Sequence, residues 1–219
     1  MLIIHAENCT GCKLCLSSCP FGALTYEGDR IQVSDSCTLC GACVNVCRSN
    51  ALQIERAPIP AEELSQYQGV FVWAELEDHQ GVLSPRKVTC ELLGKGRELA
   101  DRLHQELTAV VIGDGRVSGL ELLAQYGADR VILCQHELLG EYSTDGFTSV
   151  LCAVIAQRKP AIVLYGATPN GRDLAPRVAA RLKLGLTADC TALEIDDAGQ
   201  LVQTRPAFGG NIMASIITP

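Results

Sequence analysis

With 219 residues, 47% of them hydrophobic and 20% charged, the chain has the make-up of a folded protein and not of a disordered tail or a collagen-like repeat. Twenty-five acidic against eighteen basic residues argue against a nucleic-acid partner, which would require a basic face. No apolar run reaches the roughly 18 residues that span a bilayer, and the start Met1-Leu-Ile-Ile-His5-Ala lacks the basic and long apolar regions of a signal peptide, so a cytoplasmic protein is expected.

Cysteine usage divides the chain. Eight of the twelve cysteines lie between Cys9 and Cys47, which marks them as ligands and not as disulfide staples. Cys90, Cys134, Cys152 and Cys190 sit singly among aliphatic residues, where a thiol acts as a small hydrophobe. Residues 1–57 carry five acids against four bases, so the acidity belongs to the remainder, with 20 against 14. Trp73 is the only tryptophan, and no aromatic surface for stacking bases or sugars is evident.

A shift of 28 residues lays Cys9-Thr-Gly-Cys12-Lys-Leu-Cys15-Leu-Ser-Ser-Cys19 over Cys37-Thr-Leu-Cys40-Gly-Ala-Cys43-Val-Asn-Val-Cys47. The match extends to Ile3 over Ile31, Glu7 over Asp35 and Ala23-Leu24 over Ala51-Leu52, so a whole unit of strand, cysteine loop and helical turn is duplicated. Three cysteines at intervals of three can wrap three corners of one cubane iron–sulfur cluster, while the fourth, expected to begin a helix, must ligate something else. Two tetrahedral zinc sites are the alternative, but these use paired cysteines with a longer spacer. The run resembles that of bacterial two-cluster ferredoxins. That resemblance implies two [4Fe-4S] clusters with crossed ligands: Cys9, Cys12, Cys15 and Cys47 for one, Cys37, Cys40, Cys43 and Cys19 for the other. Arg48, where the first copy has Pro20, departs from the ferredoxin pattern and is expected either to raise the potential of the cluster on Cys47 or to stay solvated. A core drawn from Ile3, Phe21, Leu24, Ile31, Val33, Leu52 and Ile54 is too small to hold this domain by area alone, so the clusters are expected to complete its fold.

After Ile54 the prolines of Ala57-Pro-Ile-Pro60 suggest a linker. Strands are then expected at 69–74, 108–112, 130–134 and 161–165, alternating with helices at 85–107, 118–125, 146–157 and 171–182, the pattern of a parallel sheet covered on both faces. Gly113-Asp-Gly115-Arg-Val-Ser-Gly119 has the wrong spacing for a dinucleotide loop, and no phosphate-binding P-loop occurs. His5, His79, His104 and His136 are isolated, without a metal or triad pattern.

The segment Tyr165-Gly-Ala-Thr168-Pro-Asn170-Gly-Arg-Asp173 ends a strand and opens a helix, so it either cradles an anion or simply caps that helix. The run continues through Leu-Ala-Pro-Arg-Val-Ala-Ala-Arg-Leu182, and is followed by Gly185-Leu-Thr-Ala-Asp-Cys-Thr-Ala-Leu193 and Thr204-Arg-Pro-Ala-Phe-Gly-Gly-Asn211. Over about 69–219 these motifs resemble the N-terminal domain of electron-transfer flavoprotein alpha subunits, and with the cysteine repeat the chain looks like ferredoxin-extended members from anaerobic bacteria, some of which bifurcate electrons. The resemblance implies a beta-subunit partner, an acyl-CoA dehydrogenase-type enzyme and, as a further candidate, a ferredoxin. FAD is expected in the complete protein through a C-terminal domain that this sequence does not contain, so no FAD contact is assigned to any residue here. Arg205 and the Gly209-Gly210-Asn211 turn are expected to form a structural hinge.

The sequence therefore predicts an α/β chain. Residues 1–57 form a small α+β two-cluster ferredoxin domain, 58–68 a linker, and 69–219 a Rossmann-like parallel-sheet domain similar to adenine-nucleotide alpha hydrolases. The expected function is electron carrying, with no side chain assigned a catalytic role. A ferredoxin-fused enzyme that binds an adenine nucleotide on its sheet is the competing reading, weakened by the missing phosphate loop.

Overall fold

The duplicated sequence folds as a duplicated structure. In the computed structural model the first copy runs through β1 (Leu2–Ile4), α1 (Leu14–Ser17) and β2 (Leu24–Glu27), and the second through β3 (Arg30–Val33), α2 (Ala42–Val46) and β4 (Leu52–Ile54). The structure describes every residue except 29, 56–60, 208, 209, 211 and 219, and divides the chain into two units, Met1–Ala61 and Glu62–Pro219. Within the first unit β1 pairs antiparallel with β4, Ile3 opposite Gln53, and β2 pairs antiparallel with β3, Thr25 opposite Gln32. Each ribbon thus joins one strand from each copy.

Backbone conformation repeats as well. Left-handed residues fall at matching positions of the two copies: Gly11 and Leu39, Lys13 and Gly41, Gly22 and Asn50. Such turns are sterically costly without glycine, and each cysteine loop places a glycine at only one of its first two. The shared core is Cys15, Leu24, Ile31, Cys43 and Leu52. Phe21 and Val33, expected in that core, are exposed, at 52% and 37%. Phe21 lies in the turn before β2, and Val33 closes a two-stranded ribbon too narrow to cover it.

In the stretch expected as linker, residues 58–60 lie outside the described residues and α3 (Ala61–Leu64) is a single helical turn. The second unit continues with β5 (Val70–Ala74), β6 (Leu76–His79), β7 (Val82–Pro85), α4 (Lys87–Leu103), β8 (Leu107–Gly113), α5 (Glu121–Gln125) and β9 (Arg130–Gln135). It then runs through α6 (Thr144–Arg158), β10 (Ile162–Leu164), α7 (Pro169–Leu182), β11 (Ala192–Ile195), β12 (Leu201–Ala207) and β13 (Ile212–Ile217). Strands β10, β5, β8 and β9, in that order, form a parallel sheet.

Side-chain alternation along the sheet supplies two cores. Val70, Val72, Leu107, Ala109 and Val111 pack with Leu93 and Leu99 of α4 and Leu123 of α5. Phe71, Trp73, Val110 and Ile112 face the other way, onto Phe147, Leu151 and Ile155 of α6 and Leu174 and Val178 of α7. Helices therefore cover both faces.

Two features were not anticipated. Strands β6 and β7 make a hairpin directly after β5, and β11, β12 and β13 make an antiparallel sheet whose Leu193, Ile195 and Leu201 pack against the α4 side of the core. Arg205 lies within that sheet opposite Ala214, so it is a strand residue and not a hinge; residues 209 and 211 of the proposed hinge turn lie outside the described residues.

Candidate functional site

Two cavities in the first unit gather the eight clustered cysteines. One is lined by Cys9, Cys12, Cys15 and Cys47, with Lys13 and Ser49 beside them. The other is lined by Cys37, Cys40, Cys43 and Cys19, with Gly41 and Phe21 beside them. Each cavity takes three cysteines from one run and the last from the other.

Local structure explains this sorting. The left-handed residues Lys13 and Gly41 turn the chain into α1 and α2, so the third cysteine of each run, Cys15 or Cys43, enters a helix and is buried. The fourth cysteine does not begin a helix, contrary to expectation. Cys19 lies beyond α1, ahead of Pro20, which disfavours helical backbone in the residue preceding it, and Cys47 is the extended C-cap of α2. Both fourth cysteines accept a backbone hydrogen bond four residues on, Ala23 N–H to Cys19 Sγ at 3.3 Å and Ala51 N–H to Cys47 Sγ at 3.2 Å.

Burial pushes the Cys15 and Cys43 thiols up. Hydrogen bonding led by Ala23 brings Cys19 down. At Cys47 burial acts upward but is outweighed by the Ser49 hydroxyl and the backbone N–H groups of Ala51 and Leu52, so that thiol too lies below its ordinary range. The donor set is all sulfur, suited to soft metals and iron–sulfur clusters. Among the described residues no three His, Cys, Asp or Glu side chains are placed to hold a single metal ion. Each foursome surrounds a space instead of converging on a point, which fits a cubane better than a lone zinc ion.

Arg48 does not line either cavity. The side chain that reaches the Cys47 sulfur is Ser49, with Oγ at 3.7 Å, a residue passed over in the sequence although the 28-residue shift sets it against Phe21.

In the second unit the strand order reverses between β5 and β10, the switch point where open parallel sheets bind ligands. At that end of β5 lies a buried carboxylate of the protein's own. Glu75, just after β5, is 3% exposed and accepts from Arg86 Nη1 at 2.8 Å, Thr168 Oγ1 at 2.6 Å and Asn170 Nδ2 at 3.4 Å. Thr168 caps α7, its oxygen accepting from Gly171 N–H at 3.0 Å. Asp173 accepts from Tyr142, Thr144 and Arg177. Of Thr168, Asn170 and Asp173, the residues expected to cap this helix, Thr168 does so, while Asn170 reaches Glu75 and Asp173 bonds Tyr142, Thr144 and Arg177.

The remaining sequence features are structural. Asp114 and Arg116 of the glycine-containing turn pair with each other, and Arg116 also bonds Asp78 of the β6–β7 hairpin. His136 Nδ1 accepts from Leu138 N–H, and His104 is the left-handed C-cap of α4. Burial raises the thiols of Cys90, Cys134, Cys152 and Cys190, in keeping with unreactive packing residues.

Comparison with known proteins places residues 74–219 in the electron transfer flavoprotein domain family and matches residues 1–48 to the 4Fe-4S dicluster domain. The electron transfer flavoprotein subunit alpha of Clostridium acetobutylicum is 51% identical over 154 residues, covering 70% of this chain and 45% of that protein. Protein FixB of Clostridium saccharobutylicum is 49% identical over 157 residues, 71% of this chain and 46% of the relative. Subunit LctC of the lactate dehydrogenase (NAD(+),ferredoxin) of Acetobacterium woodii is 41% identical over 201 residues, covering 91% of this chain and 47% of its own. The chain spans about half the length of the curated relatives it matches.

Proposed function

The chain belongs to the electron transfer flavoprotein family, and from that premise we propose that it is part of an alpha-type subunit that carries electrons through two [4Fe-4S] clusters. Cys9, Cys12, Cys15 and Cys47 would hold one cluster and Cys37, Cys40, Cys43 and Cys19 the other. The observation that carries this reading is the pair of sulfur-lined cavities, each drawing its fourth cysteine from the opposite repeat. When bound, each cluster supplies one-electron redox chemistry. The protein's part is to present the thiolates, aim backbone N–H groups at Cys19 and Cys47, and set the exposure of each sulfur.

In this proposal residues 1–57 are the electron-carrying domain and 69–219 the flavoprotein-type domain that docks a beta subunit. FAD is held by that part of the alpha subunit which lies in the half of the relatives' length this chain does not span. The external partners are an acyl-CoA dehydrogenase-type enzyme and a ferredoxin, the second supported by the name of the Acetobacterium woodii relative.

The test is anaerobic analysis of iron and acid-labile sulfide together with electron paramagnetic resonance of the reduced protein. About eight irons per chain, four for each cluster, are expected. Stoichiometric zinc without sulfide would overturn the reading.

A further inference from the structure

The two copies of the cysteine repeat are not equivalent around their sulfurs. Their left-handed turns fall at the same aligned positions, and each fourth cysteine receives the same backbone N–H bond. Of the aligned positions at which the side chains differ, two bring a polar or charged group to one set of sulfurs and not to the other. Where the first copy has Phe21, which is half exposed and cannot donate, the second has Ser49, whose hydroxyl lies 3.7 Å from Cys47 Sγ. Where the second copy has Gly41, the first has Lys13, held in the left-handed region at φ 59° with its ammonium 4.6 Å from the centre of the Tyr26 ring. Both differences fall on one cavity: Ser49 and Lys13 line the space bounded by Cys9, Cys12, Cys15 and Cys47, while Phe21 and Gly41 line the other. Lysine is a poor choice for a left-handed backbone position, and its counterpart is glycine, so local conformation gives no reason for it.

We propose that Ser49 and Lys13 set the cluster on Cys9, Cys12, Cys15 and Cys47 at a higher reduction potential than its twin, so that the first electron entering the domain settles there. This rests on the iron–sulfur reading above. Reduction adds one electron, and therefore one negative charge, to a cluster and its four thiolates. A hydroxyl donating to one of those sulfurs, and a cation on the cavity wall, both bind the more negative state more strongly. Among the described residues the twin has neither, and it stays oxidised until a stronger reductant is applied. Ser49 and Lys13 are positioning residues: they act through the thiolates and their surroundings, not on a substrate.

The experiment is a dithionite titration of the whole chain, reconstituted anaerobically and followed by electron paramagnetic resonance. Iron and sulfide are counted first for each variant. The unaltered protein should reduce in two one-electron steps. Ser49→Ala should lower the upper step and leave the lower in place, Ser49→Thr should keep the upper step, and Lys13→Gly should lower it too. Phe21→Ser should raise the lower step, narrowing the gap. With about eight irons present in every variant, an upper step unmoved by both Ser49→Ala and Lys13→Gly, or a shift confined to the lower step, would overturn the assignment. Iron far below that count in the unaltered protein would instead overturn the iron–sulfur reading beneath it.

Discussion

The Thr168 hydroxyl donates to Glu75 Oε2 at 2.6 Å, joining residues 93 positions apart, while its oxygen accepts from the Gly171 backbone. One side chain thereby caps α7 and ties it to the end of β5. Thr168→Ala removes the cap and one bond to a buried carboxylate, and should destabilise the second unit by about 1–2 kcal/mol. Glu75→Ala should cost about 2–4 kcal/mol; Arg86 is 40% exposed and can regain water, which limits the loss. Urea unfolding followed by the emission of Trp73 reads both, and the double variant should lose clearly less than the sum. Additive losses would show that the two residues act separately.

Glycine at 171 is required by a close approach. A Cβ there would lie 2.0 Å from the Gly166 carbonyl oxygen, a backbone atom that moves only if the whole turn moves. At Gly96 the nearest atom would be Leu107 Cδ1 at 2.7 Å, the tip of a side chain that can rotate. Gly171→Ala is therefore expected to lower thermal stability by about 3 kcal/mol or more. Gly96→Ala should lose only about 1–2 kcal/mol, because alanine's better helix propensity offsets part of the overpacking. Equal melting temperatures for the two variants would contradict this ranking.

Asp173 and Tyr142 give the second unit a stability dependence at both ends of the pH scale. Hydrogen bonds from Tyr142, Thr144 and Arg177 hold the Asp173 carboxyl down at about 2, from an ordinary 3.8. A depressed carboxylate contributes its stability above pH 3.8 and loses it as pH falls toward about 2. Burial, with the Asp173 bond second, pushes the Tyr142 phenol up to about 12, so its contribution is present below pH 10 and is lost as pH rises toward about 12. Asp173→Asn should flatten the acid limb and lessen the alkaline one in denaturation monitored through Trp73. An unchanged acid limb would remove Asp173 as its source.

Iron chelation should unfold the first unit alone. Its core cluster holds five buried residues, two of them the proposed ligands Cys15 and Cys43, with only Ala23 and Ala51 buried besides among the described residues, whereas the second unit has two cores of its own. Hydrogen exchange after chelation is expected to show residues 1–55 fully unprotected, with protection retained across β5 and β8. Persistent protection in β1 and β4 would show that the peptide holds its fold without metal.

The sequence by itself determined the duplicated cysteine unit, the succession of strands and helices along the chain, and the family, because each is written in short-range spacing: 28 residues between repeats, short apolar runs at 69–74 and 108–112, and contiguous motifs from Tyr165 onward. Tertiary structure alone decided what depends on distant residues meeting. It set Glu75 against Thr168 and placed the Ser49 hydroxyl, one residue beyond Arg48, at the Cys47 sulfur. It also exposed Phe21 and Val33, whose hydrophobicity promised burial, since burial depends on whether another layer arrives to cover a side chain, and no local pattern carries that information.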